Sequence, residues 1–388
     1  MAETGMKIVA YETFMANAGL RNYLFIRLTT DTGLTGIGEA SLEWQEKTVE
    51  TLCHEWVKGR VLGCDPFNLE AVVGGLIRDQ YQGGATIMTA ISGTEIALWD
   101  IIGKACGQPV YRLLGGRCHA QLPTYANGWY GQARTPEDFA AQARAAVARG
   151  YQALKFDPFG VGWKDLSPEQ SGAALDVVAA VRDAVGPRVG LMIEFHGRLS
   201  VGAAIHMLDR LAPQAPVWCE EPVAPDSLDL LAEVKRSTHL TLAAGERLYT
   251  QADFYRLTAL RAADVVQMDV AHCGGILASK KIAAMAAAQD LRIAPHCSVG
   301  PVAFAACLHV DASTPNFMIQ EAFGEFDVPW REKLVDGWHP VKNGVLTLSD
   351  RPGLGLELNE AEIAAHPYIQ NPFPSLWDES WLTNFKQS

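Results

Sequence analysis

From residue 122 onward the chain alternates between two hydrophobic rhythms. Short apolar runs, each about the length of one strand, are separated by segments in which apolar positions recur at helical spacing. The runs are LPTYAN (122–127), YQALKFD (151–157), VGLMIEFH (189–196), PVWCEE (216–221), LTLAAGE (240–246), VVQMD (265–269), RIAPH (292–296) and FMIQE (317–321). The intervening segments carry helix punctuation. Thr135 and Pro136 supply an N-cap and a first turn, and Gly150 stops that helix. Ser167 and Gln170 form a capping box for the next, which ends at Gly186. Eight such βα units predict a parallel sheet closed into a TIM-type (β/α)8 barrel over residues 121–335.

The flanks read differently. RNYLFIRLTT (21–30) and LTGIGEAS (34–41) surround the turn DTG and predict a β-hairpin. TAISGTEIALWDIIGKACG (89–107) is apolar around most of its circumference and predicts a helix held between layers. Residues 1–120 therefore read as an α+β capping domain, closed by PVYRLLGG. Residues 336–388 suggest short strands and a helix, expected to pack back on that domain and complete it.

The polar residues that end the barrel runs fall in register. They are Lys155, Glu194, Glu220, Glu246, Asp269, His296 and Glu321. The steps from 194 to 220 and from 220 to 246 are 26 residues, the later steps are 23, 27 and 25, and the first, from 155 to 194, is 39 because the loop PFGVGWKDLS lies inside it. One βα unit has about that length, so each step lands at the same height on the next strand, at the rim where such barrels hold their active sites. A single charged strand end is as well explained by solvation. Seven in register are not, because charged groups ending apolar runs need a partner or a metal.

Three neighbouring carboxylates repel one another unless a cation lies among them, and all-oxygen ligation favours a hard ion such as Mg²⁺. Glu194, Glu220 and Glu246 form that set; Glu221 competes with Glu220, and the period does not separate them. Asp269 and His296 end consecutive strands, where a carboxylate fixes the imidazole tautomer and raises its basicity. In LMIEFHGR, strand alternation aims His196 to the same face as Glu194. His272 is a weaker candidate, and His54, His206 and His239 fall in helical or connecting segments.

A net charge of −12 argues against nucleic acid or an anionic membrane as partner. An anionic substrate would then need local positive charge, which a metal ion supplies. Eight scattered cysteines without a CxxC pair suit reduced thiols, and the N-terminus shows no basic-then-apolar leader pattern. No run approaches the roughly 20 apolar residues of a membrane span. The expectation is a cytoplasmic protein.

The motifs IALWDIIGKACGQPVYRLLGG, IEFH, CEEP, AGER, QMD, APHCSVGP and IQE, in this order, resemble the enolase superfamily and its mandelate racemase-like branch, over essentially the whole chain. The resemblance implies the barrel in its modified (β/α)7β form and Mg²⁺ on Glu194, Glu220 and Glu246. It implies an Asp269–His296 dyad that removes the proton α to a substrate carboxylate, and a Glu321 that donates a hydrogen bond to the enediolate. It also implies assembly from identical subunits. Racemases of this branch carry Lys-x-Lys on the second strand; here LKFDP keeps Lys155 but puts Asp157 where the second lysine would be. FHGR resembles galactonate-dehydratase-like members, in which the histidine, here His196, protonates the departing β-hydroxyl.

These readings converge on an Mg²⁺-dependent aldonate dehydratase, a hydro-lyase forming a 2-keto-3-deoxy acid. The alternative is an epimerase or cycloisomerase working through the same enediolate. Lys155 would meet the substrate carboxylate. Asp157, Trp129, Tyr81 and the loop around Trp163 are expected to line the substrate pocket, with the capping-domain loops 15–23 and 81–85 closing it.

Overall fold

The computed structural model describes residues 5–371 except 132 and 339, together with 373 and 377. Strands β1 (Ile8–Ala18), β2 (Arg21–Thr30) and β3 (Thr35–Glu39) form an antiparallel sheet in sequence order. The helix Ala85–Ala105 lies directly on β3. Glycines permit the contact: a Cβ on Gly38 would sit 1.9 Å from the Gly93 carbonyl, so only bare backbone fits there. Contrary to the expectation that no segment approaches membrane-span length, this helix is long and apolar enough to cross a bilayer, but fifteen of its 21 residues are buried inside the fold, Glu95 and Asp100 among them. It is a core helix.

The second sheet is parallel and curls into a barrel. Its strands are β4 (Leu122–Ala126), β5 (Ala153–Phe156), β6 (Gly190–Glu194), β7 (Trp218–Glu220), β8 (Leu242–Ala244), β9 (Val265–Val266), β10 (Arg292–Ile293) and β11 (Gln320–Ala322). Each pairs with its neighbour in sequence order, and β11 returns to β4. Closure between β10 and β11 rests on a bridge of Ile293 to Phe317, just before β11 begins. Inside, Tyr125, Met192, Trp218, Ala243, Val265 and Ala294 pack as a plug below the rim.

Several strands end earlier than their apolar runs. β6 stops at Glu194, β8 at Ala244 and β9 at Val266, because the rim residues bend out of the ladder to form loops. At Gly245 the backbone has φ +144°, and a Cβ would meet the Gln267 backbone at 2.9 Å, so glycine permits the turn that carries Glu246.

Buried carboxylates fasten the two parts. Glu39 accepts from the amides of Gly300, Val302 and Ala303 at the start of helix Pro301–Ala312, and Glu95 accepts from Ile276 and Leu277 at the start of helix Gly275–Ala288. Each sets a carboxyl group at a helix N-terminus, where it accepts from N–H groups that have no partner within the helix. Asp100 accepts from the amides of Ile37 and Leu354, joining β3 to the C-terminal segment. That segment does more than return to the capping domain: Val345–Leu346 pairs antiparallel with Leu122–Pro123 of β4.

Candidate active site

Glu194, Glu220 and Glu246 converge at the rim of β6 to β8, with one carboxylate oxygen from each within 4.8 Å of the others. Glu220 is held by the indole N–H of Trp218 at 2.9 Å and by Lys155 Nζ at 2.6 Å. Lys155 is buried and also lies 3.0 Å from Glu321 and 3.4 Å from Glu194. Burial alone would lower its pKa, but Glu220 and Glu321 overcome this and keep the ammonium charged.

The ambiguity between Glu220 and Glu221 is resolved by backbone geometry. Glu220 is the last residue of β7 and faces inward with Trp218, while Glu221 adopts φ +42° and turns to Arg247, whose Nε donates to it at 2.8 Å.

The donor set suits a hard divalent cation. Glu194 Oε2 is buried without a hydrogen-bond partner among the described residues. Burial and the neighbouring Glu220 push Glu194 well above the usual carboxylate range, whereas Lys155 outweighs burial at Glu220 and brings it down. Among the described residues, Glu194, Glu220, Glu246, Asp269 and Glu321 thus share the rim with Lys155 and His296, while Arg247, paired with Glu221, lies 3.9 Å from Glu246. An excess of buried negative charge with an orphaned oxygen is the environment a bound Mg²⁺ neutralises.

Asp269 and His296 face each other as bridged residues, with His296 Nδ1 2.7 Å from Asp269 Oδ2. This leaves Nε2 pointing into the mouth, 3.5 Å from Glu246 and 3.8 Å from Glu321. Burial would lower the His296 pKa, yet Glu246, Glu321 and Asp269 together raise it well above the ordinary value. A base must be neutral before it takes a proton, so the cluster needs a countercharge at its carboxylates for His296 to act as one. His272 Nδ1 lies 3.4 Å from the same Asp269 oxygen, and its Nε2 reaches the Ser41 carbonyl at 2.9 Å. It serves the contact with the capping domain.

Glu321 is placed as an acceptor. Asn127 donates to one oxygen at 2.7 Å and the Cys297 amide to the other at 2.8 Å. Burial raises its pKa, but Lys155 and His296 pull it below the usual range. To donate a hydrogen bond, it must first take up a proton.

His196 reaches the rim by a route that strand alternation did not foresee. The strand stops at Glu194, and His196 has φ +48°, so the rule of alternate faces no longer applies to it. Its amide donates to Glu194 Oε1 at 2.7 Å, and a tight turn holds it above the metal-type cluster. Its Nδ1 lies 2.7 Å from Asp157 Oδ2. Arg198, fully buried, bonds the same Asp157 oxygen and donates to the carbonyls of Phe195 and Gly160 at 2.9 Å. Burial would raise Asp157, but Arg198 and His196 hold it below its usual value.

Two expected lining residues are elsewhere. Trp129 is only 5% exposed; its indole donates to the Lys155 carbonyl at 2.9 Å and its ring packs on Tyr130, Phe139 and Phe156. It braces β5 from behind. Tyr81 projects into solvent at 96% exposure and is not brought to the mouth. The loop around residue 21 does arrive, with Arg21 Nη1 donating to Glu43 and to the Ser298 carbonyl, both at 2.5 Å. Arg198, Arg247 and Asn127 escaped the sequence reading. Asn127 carried a usable signal, as the polar end of the first barrel run.

Comparison with known proteins agrees with this geometry. Residues 138–362 match the family described as Enolase C-terminal domain-like, and residues 4–115 match the Mandelate racemase / muconate lactonizing enzyme, N-terminal domain. A D-galactonate dehydratase of Verminephrobacter eiseniae is 38% identical over 92% of this chain and 93% of its own length. A D-gluconate/D-galactonate dehydratase of Picrophilus torridus is 36% identical over 87% of this chain and 86% of its own. The solved structure of a mandelate racemase/muconate lactonizing enzyme from Jannaschia sp. CCS1 superposes with a TM-score of 0.87 at 35% identity, covering 94% of this chain and 99% of that one. The chain therefore belongs to the enolase superfamily, in its mandelate racemase/muconate lactonizing enzyme branch.

Proposed function

We propose that this hydro-lyase dehydrates an aldonate-type sugar acid, such as gluconate or galactonate, to a 2-keto-3-deoxy acid, with Mg²⁺ held by Glu194, Glu220 and Glu246. The observation that carries the reading is the pair of rim imidazoles, His296 and His196, each oriented through Nδ1 by its own carboxylate. The names of the two dehydratase relatives support it.

Bound Mg²⁺ supplies Lewis-acid stabilisation of negative charge developing on the substrate carboxylate. Lys155 adds a fixed buried ammonium beside that carboxylate. His296 Nε2 takes the α-proton while Asp269 holds Nδ1–H and stabilises the imidazolium formed. His196, with Nδ1 held by Asp157, offers Nε2 to the 3-hydroxyl. The C3–O bond breaks, oxygen leaves as water with the proton from His196, and the resulting enol tautomerises to the 2-keto acid. Asp157 is engaged by His196 and Arg198, so it is not placed to act as the opposing base that racemisation requires.

The deciding experiment incubates the protein and Mg²⁺ with a panel of aldonic and aldaric acids in D₂O. A 2-keto-3-deoxy product from at least one aldonate supports the proposal. α-Deuterium incorporation without any keto acid overturns it in favour of epimerisation or cycloisomerisation.

A further inference from the structure

One aromatic side chain reaches the rim from the C-terminal segment. The Trp377 ring lies 5.9 Å from the His196 ring and 6.0 Å from that of Trp163, the two indoles inclined by only 20°. The Arg198 guanidinium sits 4.1 Å from the centre of the Trp377 ring. Arg198 is immobilised by Asp157 and two backbone carbonyls, so one buried cation both anchors the partner of His196 and seats Trp377 by a cation–π contact. Trp163 is 48% exposed and the His196 side chain 34%. The His196 side chain and Trp163 thus border solvent, whereas Glu194 and Glu220 are buried.

We propose that Trp377 and Trp163 form a subsite for the distal carbons, C4 to C6, of a six-carbon sugar acid; this rests on the dehydratase reading. With the substrate carboxylate at Glu194, Glu220 and Glu246 and the 3-hydroxyl at His196, the remaining chain runs outward past His196 to the indoles. An extended polyol presents rows of C–H bonds, and an indole face offers a wide, rigid apolar surface to cover them. Contact of this kind reads chain length more than the configuration of each hydroxyl, since it lacks directional hydrogen bonds. Configuration is left to the polar groups of the mouth.

The test compares a six-carbon aldonate with a four-carbon aldonate of the same configuration at C2 and C3, using the full-length protein with Mg²⁺. Wild type, Trp377→Ala, Trp163→Ala and Trp377→Phe are assayed for kcat and KM, with Kd from calorimetry. The wild type should prefer the six-carbon acid. Trp377→Ala should erode that preference about tenfold, the scale of a lost apolar contact in a specificity pocket. Trp163→Ala should erode it too, and Trp377→Phe should restore most of it. A wild type with no preference for six carbons, or an alanine variant that alters both acids equally or neither, overturns the subsite. A wild type that binds the six-carbon acid but forms no keto acid refutes dehydration alone. The ratio of Kd values then upholds or overturns the subsite by the same comparison.

Discussion

His196 Nδ1 lies 2.7 Å from Asp157 Oδ2, and Asp157, the residue just past β5, occupies the sequence position where a racemase of this branch would carry its second lysine. Under the proposed reaction, the replacement exchanges a second base for a group that orients the acid His196. His196→Asn should therefore suppress keto-acid formation by about 10²-fold or more, the usual contribution of a positioned acid, while α-proton exchange in D₂O persists. Asp157→Ala should move activity in the same direction by a smaller factor, with exchange again retained. Proton exchange followed by NMR, alongside keto-acid assay, separates the two steps. Unchanged turnover in the His196 variant would remove its assigned role.

The opposite signature is expected across the mouth. His296→Asn should abolish both α-exchange and product formation, because no proton is removed without the base. Asp269→Asn should weaken both together. Any exchange at the wild-type rate in His296→Asn would transfer the base role to another residue.

Glu220 and Glu221 are adjacent in sequence but differ in surroundings, the first meeting Lys155 and the second Arg247. Glu220→Gln should lower Mg²⁺ affinity by more than about 100-fold. Glu221→Gln, which removes the nearer of the two carboxylates at Arg247 and leaves Glu246 at 3.9 Å, should cost about tenfold or less, as an outer partner does. Calorimetric titration with Mg²⁺ provides the comparison, and equal losses would show that Arg247 and Glu221 belong to the ion's immediate surroundings.

Glu95 gives the fold a pH dependence of its own. Burial pushes its carboxyl up to about 8 despite the amides of Ile276 and Leu277 and the Trp99 indole. The folded state thus binds a proton more tightly than the unfolded one, whose value lies near 4.3. That stability is fully present below the unfolded value and is lost as pH rises through about 8. The thermal midpoint of the wild type should fall from pH 5 to 9 relative to Glu95→Gln, whose side chain does not titrate. Parallel midpoints over that range would exclude Glu95 as the source.

The barrel was legible because its signals are local. A strand alternates every two residues, a helix repeats every 3.6, and a βα unit has a typical length, so the recurrence of Glu194, Glu220 and Glu246 survives in the bare sequence. The same arithmetic carried Asp269, His296 and Glu321 to one rim. It failed at His196, where the backbone leaves the strand with positive φ and the side chain is positioned by Asp157 from the neighbouring strand's loop. It misplaced Trp129, since an aromatic near a strand end reads the same whether its ring faces substrate or, as here, packs behind β5.

Sequence alone determined the closed sheet, the capping domain's core helix and the ring of ionisable groups, all properties of periods and spacings within single segments. Only the tertiary structure decided that Glu220 and not Glu221 faces inward, that Arg198 anchors Asp157, and that Trp377 comes to rest beside His196. Those outcomes depend on turns at strand ends and on contacts between residues far apart in the chain, such as Trp377 with Arg198, 179 positions away. Neither leaves a period to read.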